Sequence, residues 1–208
     1  MLLILDFTDR LNLAILDKKD FIKKKLNSKR NISEILIQEV DYFFKKSDKD
    51  INRLNSICII TGPGSFTGIR SALTFAKILK LKLKIKIFGI SKFDLINFCT
   101  LENSTHKKKI ILLHFKKNKF FSQLFIKNVA YEEPKLINLE EYNTKNMKNI
   151  SFICDNKVLE KYLTIDSMAK IKDNLHFIDY NINKLPQIIK NNIIENEDVK
   201  PLYISNYS

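Results

Sequence analysis

Glycine is almost missing from this chain. There are four in 208 residues, and three of them fall between Gly62 and Gly68. The fourth is Gly89. Arginine is as scarce, with 4 residues against 32 lysines. Arginine is the side chain that forks onto phosphates and base edges. The formal net charge of +13 is therefore poor support for a specific RNA site. Lysine, isoleucine and asparagine together supply 84 of the 208 residues, and all three have A/T-rich codons, so the excess reads as genome bias. A basic surface still raises non-specific RNA affinity at low salt. Cysteine is limited to Cys58, Cys99 and Cys154, scattered and without a CxxC, which argues for buried small hydrophobes in a reducing compartment. His106, His114 and His176 are isolated, with no HxxxH or HExxH, so no histidine metal pair can be drawn. No apolar run reaches the length of a membrane span, and Met1-Leu2-Leu3-Ile4-Leu5 lacks a basic lead and is stopped by Asp6. The expectation is a cytoplasmic protein with no membrane partner.

What is present is a core. Hydrophobic residues make up 45% of a chain long enough for one large or two small domains. Its organising stretch is Thr61-Gly62-Pro63-Gly64-Ser65-Phe66-Thr67-Gly68-Ile69-Arg70. The apolar run Ile57-Cys58-Ile59-Ile60 precedes it, and Ile69, Ala72, Leu73, Ala76 and Leu79 follow at helical spacing. The reading is strand, glycine loop, helix. Glycine permits positive φ and close backbone approach, to a ligand or to another element. Ser65 or Thr67 suits the helix N-cap.

Three motifs can be tested on this loop. A Walker loop requires Gly-Lys-Ser/Thr at its end, but Gly68 is followed by Ile69 and Arg70. A dinucleotide fingerprint requires a third glycine where Thr67 stands, and an acid ending the next strand, where Lys84 to Phe88 offer none. A nucleophile elbow requires a different spacing from Gly64-Ser65-Phe66-Thr67-Gly68. Turn geometry with close helix packing is the stronger reading. Asp6, ending the first strand, suits a metal or ribose ligand and equally a hairpin cap, and Asp155 shares that ambiguity.

Along the chain, residues 2–7, 11–16 and 20–26 read as a meander, with Lys23, Lys24 and Lys25 marking an exposed edge. Asn31 and Glu34 form a capping-box pattern opening a helix with the stripe Ile32, Ile35, Leu36, Val40, Phe43 and Phe44, which Ile37 widens. A short helical turn near residues 50–54 precedes the strand at 57–61. Residues 79–88 alternate as a strand would, and the expected division is a helix to about Lys82 and a strand over 84–88. A third helix begins at Ser91 and runs to about Leu101. The order β-β-β-α-β-α-β-α predicts an α/β sheet with a parallel part. Polar residues 102–109 mark an internal boundary, giving lobes at 1–103 and 104–208. Beyond it, a hairpin over 110–115 and 119–126, a strand at 150–154 and helices near 139–146, 156–163 and 182–193 are expected.

The string Gly62-Pro63-Gly64-Ser65-Phe66-Thr67-Gly68-Ile69-Arg70 closely resembles the signature of the TsaB (YeaZ) family. Leu5-Asp6-Phe7-Thr8 resembles a worn form of that family's opening Ile-Asp-Thr-Ser, and Pro201-Leu202-Tyr203-Ile204 its closing Pro-x-Tyr-Leu. The resemblance implies an actin-like, sugar-kinase-like (ASKHA) α/β fold of two ribonuclease-H-like lobes, the second reduced. It implies an inactive relative of the transferase TsaD, which places threonylcarbamoyl on the adenosine beside the tRNA anticodon. The chain would be its scaffold partner in a heterodimer completed by the ATPase TsaE, with tRNA met through the complex. ATP and metal would sit on TsaD and TsaE, with none bound by this chain alone. The resemblance leaves open a homodimer when the chain is isolated.

In the family the first two helices bundle with the partner, so Ile35, Ile37 and Phe44 on the first helix and Ser71, Phe75 and Ile78 on the second are the implied interface. Gly62, Gly64, Ser65, Thr67 and Gly68 form the structural loop. The family's histidine before the first helix is Asn31 here, and its Asp-x-Arg falls on His114-Phe115-Lys116. Two other classes stand beside this reading. One is an enzyme of the same fold, either a nucleotide-dependent phosphotransferase or an M22-type glycoprotease; tight ATP binding without a partner would favour it. The other is an RNA-binding module, which requires tRNA affinity that survives physiological salt.

Overall fold

The protein was analysed as a computed structural model that describes residues 1–9, 11–26, 31–100, 107–116, 119–138, 150–155, 171, 174–178, 182, 185, 187–188 and 198–204. It divides into two compact units, Met1–Lys92 with Ile182–Leu202, and Phe93–Asn181 with Tyr203–Ser208. The sequence-based boundary at 103/104 stands beside a first break at 92/93, and Ile182–Leu202 groups with the first unit.

The first unit is a five-stranded sheet built from β1 (Leu2–Asp6), β2 (Asn12–Asp17), β3 (Asp20–Lys25), β4 (Ser56–Ile60) and β5 (Lys86–Ile90), ordered β3-β2-β1-β4-β5. β1, β2 and β3 pair antiparallel, while β1, β4 and β5 run parallel. β1 is buried along its whole length, as an apolar strand covered on both faces requires. β3 closes the edge with its lysines, as its sequence predicts.

Helix α1 (Ile32–Lys46) joins the meander to β4, and α2 (Phe66–Leu83) joins β4 to β5. Both helices bury one stripe against the sheet. Leu3, Leu5 and Phe7 of the first strand and its extension meet Leu36, Val40, Phe43, Ala72 and Ala76 in one core. Asn31 has N-cap geometry, but its side chain caps no backbone N–H and instead donates to Glu34 at 3.1 Å, so the capping box does not form. The alternation over 79–88 is split by tertiary packing. α2 runs to Leu83, Lys84 turns left-handed with φ 54°, and β5 begins at Lys86. Leu81 then stands 84% exposed, since a helix turns it roughly 200° away from the buried Leu79.

The second unit holds a six-stranded sheet of β6 (Lys108–Lys116), β7 (Lys119–Ile126), β8 (Val129–Ala130), β9 (Lys135–Asn138), β10 (Ile150–Asp155) and β11 (Leu175–Ile178). β6 and β7 form the expected hairpin, and β10 lies parallel to β6 and β11. Strands β8, β9 and β11 are not anticipated from sequence, being two to four residues long. The expected helices at 139–146 and 156–163, most of the one at 182–193, and the turn residues 117–118 lie outside the described residues. Helix α3 (Lys92–Cys99) carries the buried Phe93, Leu95 and Ile96. His114 packs edge-on against Phe120, with ring centroids 5.4 Å apart.

Lys109 on β6 is 1% exposed. Its ammonium donates to Thr100 Oγ1 at 2.7 Å and to the Asn97 carbonyl at 3.4 Å, at the C-terminal end of α3. The negative end of a helix suits a cation. Burial nevertheless pushes the Lys109 pKa down from 10.5 to about 8. The folded state then binds fewer protons than the unfolded state between those values, so this group makes stability rise with pH across that window. Denaturant titrations followed by circular dichroism should show that rise between pH 8 and about 10, and a Lys109→Met variant should lose it.

Candidate partner-binding face and the glycine loop

The glycine loop leaves β4 and reverses onto the end of β1. Ser65 N donates to the Thr8 carbonyl, and Thr61 N donates to the Ile90 carbonyl at 2.9 Å. Ser65, rather than Thr67, caps α2: its Oγ accepts from Gly68 N at 3.2 Å. The Gly62–Pro63 peptide is cis, and Gly62 has φ +119°, a region that L side chains rarely adopt. A Cβ on Gly64 would lie 2.6 Å from Thr8 Cβ and 2.8 Å from Thr8 Cα. A Cβ on Gly68 would meet the Phe7 carbonyl oxygen. These obstacles are backbone and a fully buried threonine, so neither can yield easily. The loop glycines thus exist so that α2 can start directly on the end of β1. The returning segment seals the other side, with Leu202 N donating to the Thr61 carbonyl at 2.9 Å and Val199 packed on Gly89.

Asp6 lies fully buried beneath this loop. It accepts from Thr8 Oγ1 at 2.7 Å, from Thr8 N at 3.3 Å and from Asn12 Nδ2 at 3.5 Å. Burial raises its pKa above the ordinary carboxylate value, while the Thr8 hydrogen bond and the charge of Lys92 oppose that. Among its sequence-stated roles, the hairpin cap is the one these bonds express. Nearby, the Lys92 ammonium is clasped by both Asp9 oxygens, each at 2.9 Å. Neither Lys92 nor Asp9 stands out in the sequence, where they read only as a helix start and a turn residue.

A shallow groove of about 420 Å³ runs between α1 and α2, bordered by Ser33 and Ile37 from α1 and by Phe66, Ser71, Phe75 and Ile78 from α2. Ile37 is 68% exposed, and Phe66 and Ile78 are each 55% exposed. Arg70 lies over the Phe66 ring at 4.9 Å. Thr67 also lines this groove, away from the cap. Of the six residues the sequence nominates for a partner face, Ile37, Ser71, Phe75 and Ile78 line the groove. Phe75 is mostly buried there. Ile35 and Phe44 do not line it; both are buried in the core, because their helical positions fall on the sheet-facing stripe. Phe66 escapes sequence reasoning, since an aromatic beside the glycine loop reads there as part of the motif.

The architecture is that of actin-like α/β proteins with ribonuclease-H-like lobes. An actin-like ATPase-fold protein of unknown function from Bacteroides thetaiotaomicron superposes with a TM-score of 0.52 over 90% of this chain and 95% of its own, at 11% identity. YeaZ from Pseudomonas aeruginosa superposes with a TM-score of 0.69 over 98% of this chain and 99% of its own, at 12% identity. A protein described as similar to peptidase YEAZ from Pseudomonas aeruginosa reaches 0.72 at 13% identity, over 98% of this chain and 99% of its own.

The family model for TsaD, tRNA N6-adenosine threonylcarbamoyltransferase, matches residues 25–114. The TsaB protein of tRNA threonylcarbamoyladenosine biosynthesis from Buchnera aphidicola subsp. Schizaphis graminum is 31% identical over 88 residues, which is 42% of each chain. Its counterpart from Buchnera aphidicola subsp. Acyrthosiphon pisum is 28% identical over 102 residues, 48% of this chain and 45% of its own. The chain therefore matches less than half the length of these curated relatives. The chain is thus similar to TsaB proteins over less than half of its length, and to the YeaZ structures in fold over nearly all of it.

Replacing Gly64 or Gly68 by alanine should displace α2 and destabilise the protein by about 2 kcal/mol or more, the cost of forcing atoms into a packed site. Thermal unfolding checks this, with Thr74→Ala, an exposed position on the same helix, expected to stay within about 0.5 kcal/mol of the unmodified chain.

Proposed function

We propose that this chain is a non-catalytic scaffold subunit of tRNA threonylcarbamoyladenosine synthesis that docks a TsaD-type transferase through the α1–α2 face. The observation that carries this reading is the pair Ile37 and Ile78, exposed on two helices over one groove. Apolar side chains clustered at a groove are typical of an interaction surface, whereas scattered ones are not. Fully burying an aliphatic side chain of this size contributes about 1.5–3 kcal/mol, enough for two of them to anchor a helix packed along the groove.

In this reading ATP and metal belong to the TsaD and TsaE partners. TsaE joins the assembly, tRNA is met through it, and the setting is cytoplasmic. When the chain is alone, the same face is available to a second copy. The matches to TsaB proteins support the pathway, and the rigid seating of α2 on β1 supports a face fixed in advance of binding. Among the described residues, no group of three or more His, Cys, Asp or Glu side chains that could hold a metal ion favours the enzyme reading.

Co-purification with the TsaD relative of the same organism, followed by calorimetry, tests the proposal. Ile37→Glu and Ile78→Glu should each weaken the complex about tenfold or more while leaving the unfolding midpoint close to that of the unmodified protein. Failure of the unmodified chain to form any complex overturns the proposal. Normal binding by both variants overturns only the choice of face.

A further inference from the structure

The groove between α1 and α2 is lined by aliphatic, aromatic and hydroxyl side chains, and among its nine described lining residues Arg70 alone is charged. Local preference does not put it there. Arg70 lies one turn into α2, toward the positive end of the helix dipole, and no acidic residue in the first turn offsets it. The side chain is exposed, and its guanidinium stacks over the Phe66 ring at 4.9 Å. Among the described residues it meets no carboxylate and no carbonyl. A chain with 32 lysines thus places one of its 4 arginines at the end of an apolar groove. Arginine differs from lysine in its planar fork, which can hold both oxygens of a carboxylate while its face rests on an aromatic ring.

We infer that Arg70 is the specificity-determining residue of the α1–α2 face, and that the helix docking there brings an Asp or Glu to it. This rests on the docking of a TsaD-type transferase through that face, and adds what the partner must carry. From Phe66 to Ile78 the groove follows about 18 Å of α2, which accepts about three turns of a docked helix. Arg70 and Ile78 stand about 12 Å apart along the axis, so the carboxylate lies about two turns from the apolar residue that covers Ile78. An apolar groove alone accepts any amphipathic helix. One fork at one end sets the direction of the docked helix and rejects a helix with a basic or apolar residue at that place.

The test titrates the TsaD relative of the same organism into the full chain by calorimetry, at low and at physiological salt. Arg70→Gln should bind about tenfold or more weakly and lose part of the salt dependence of the unmodified complex. Arg70→Lys should keep the salt dependence and recover only part of the affinity, because an ammonium cannot fork. Arg70→Glu should bind most weakly, and changing one Asp or Glu of the partner's docking helix to Arg should restore it. All three variants should unfold close to the midpoint of the unmodified chain, since Arg70 is exposed. The inference is overturned if Arg70→Gln binds within about twofold of the unmodified chain while Ile37→Glu weakens the complex, a result that leaves the docking face in place. It is overturned too if Arg70→Gln breaks a homodimer of the isolated chain and leaves the TsaD complex unchanged, which assigns the fork to a second copy. If neither Arg70→Gln nor Ile37→Glu weakens the complex, the choice of face falls and the inference with it.

Discussion

The first unit depends on the close approach of the start of α2 to the end of β1. Gly64 lies against Thr8 and Gly68 against the Phe7 carbonyl, at distances that admit no Cβ. Ser65 ties the helix start to the end of β1 through its amide to the Thr8 carbonyl, and its hydroxyl caps α2. A helix seated this closely has its axial position and rotation set by backbone, not by adaptable side chains. Everything α2 displays, including the groove shared with α1, is therefore held in advance. In a chain with four glycines, placing three in this loop reflects that steric demand.

Two neighbouring positions on α1 illustrate how narrow the line between core and surface is. Ile35 is buried with Phe44 under the sheet-facing stripe, while Ile37 stands in solvent. All three are large apolar residues in one fifteen-residue helix. Polarity cannot separate them; the angle about the helix axis does, and that angle is anchored by the sheet. The same holds at the end of α2, where Leu79 is buried and Leu81 is almost fully exposed.

Two buried lysines, Lys92 and Lys109, are accommodated by different physics. Lys92 is matched by the Asp9 carboxylate, both of whose oxygens accept from its ammonium at 2.9 Å. Lys109 has a hydroxyl and a helix-end carbonyl, and burial shifts its protonation toward the neutral form. The sequence presents both simply as members of a lysine-rich set. Desolvation and partner choice, which separate them, are properties of the packed chain.

Periodicity and local chemistry suffice for much of this protein. The meander with a lysine-bearing edge, the strand–loop–helix around Gly62 to Gly68, and the β6–β7 hairpin follow from residue order, because each depends on neighbours in sequence. The nine-residue loop string also carries the family resemblance. Other features needed the folded chain. The 79–88 alternation reads as a strand by period, and the exact division, with α2 ending at Leu83 and β5 starting at Lys86, follows from the burial of Leu79, Ile85 and Ile87. Short strands such as β8 and β11 exist because a longer neighbour pairs with them. The Asp9–Lys92 pair joins residues 83 apart, and the groove takes its walls from two helices separated by a strand. Sequence determined where this chain would turn, cap and hide its apolar stripes, since those are local free-energy preferences. Tertiary structure alone decided which apolar residues remained in water and which charges met, since both depend on distances that only the closed sheet brings about.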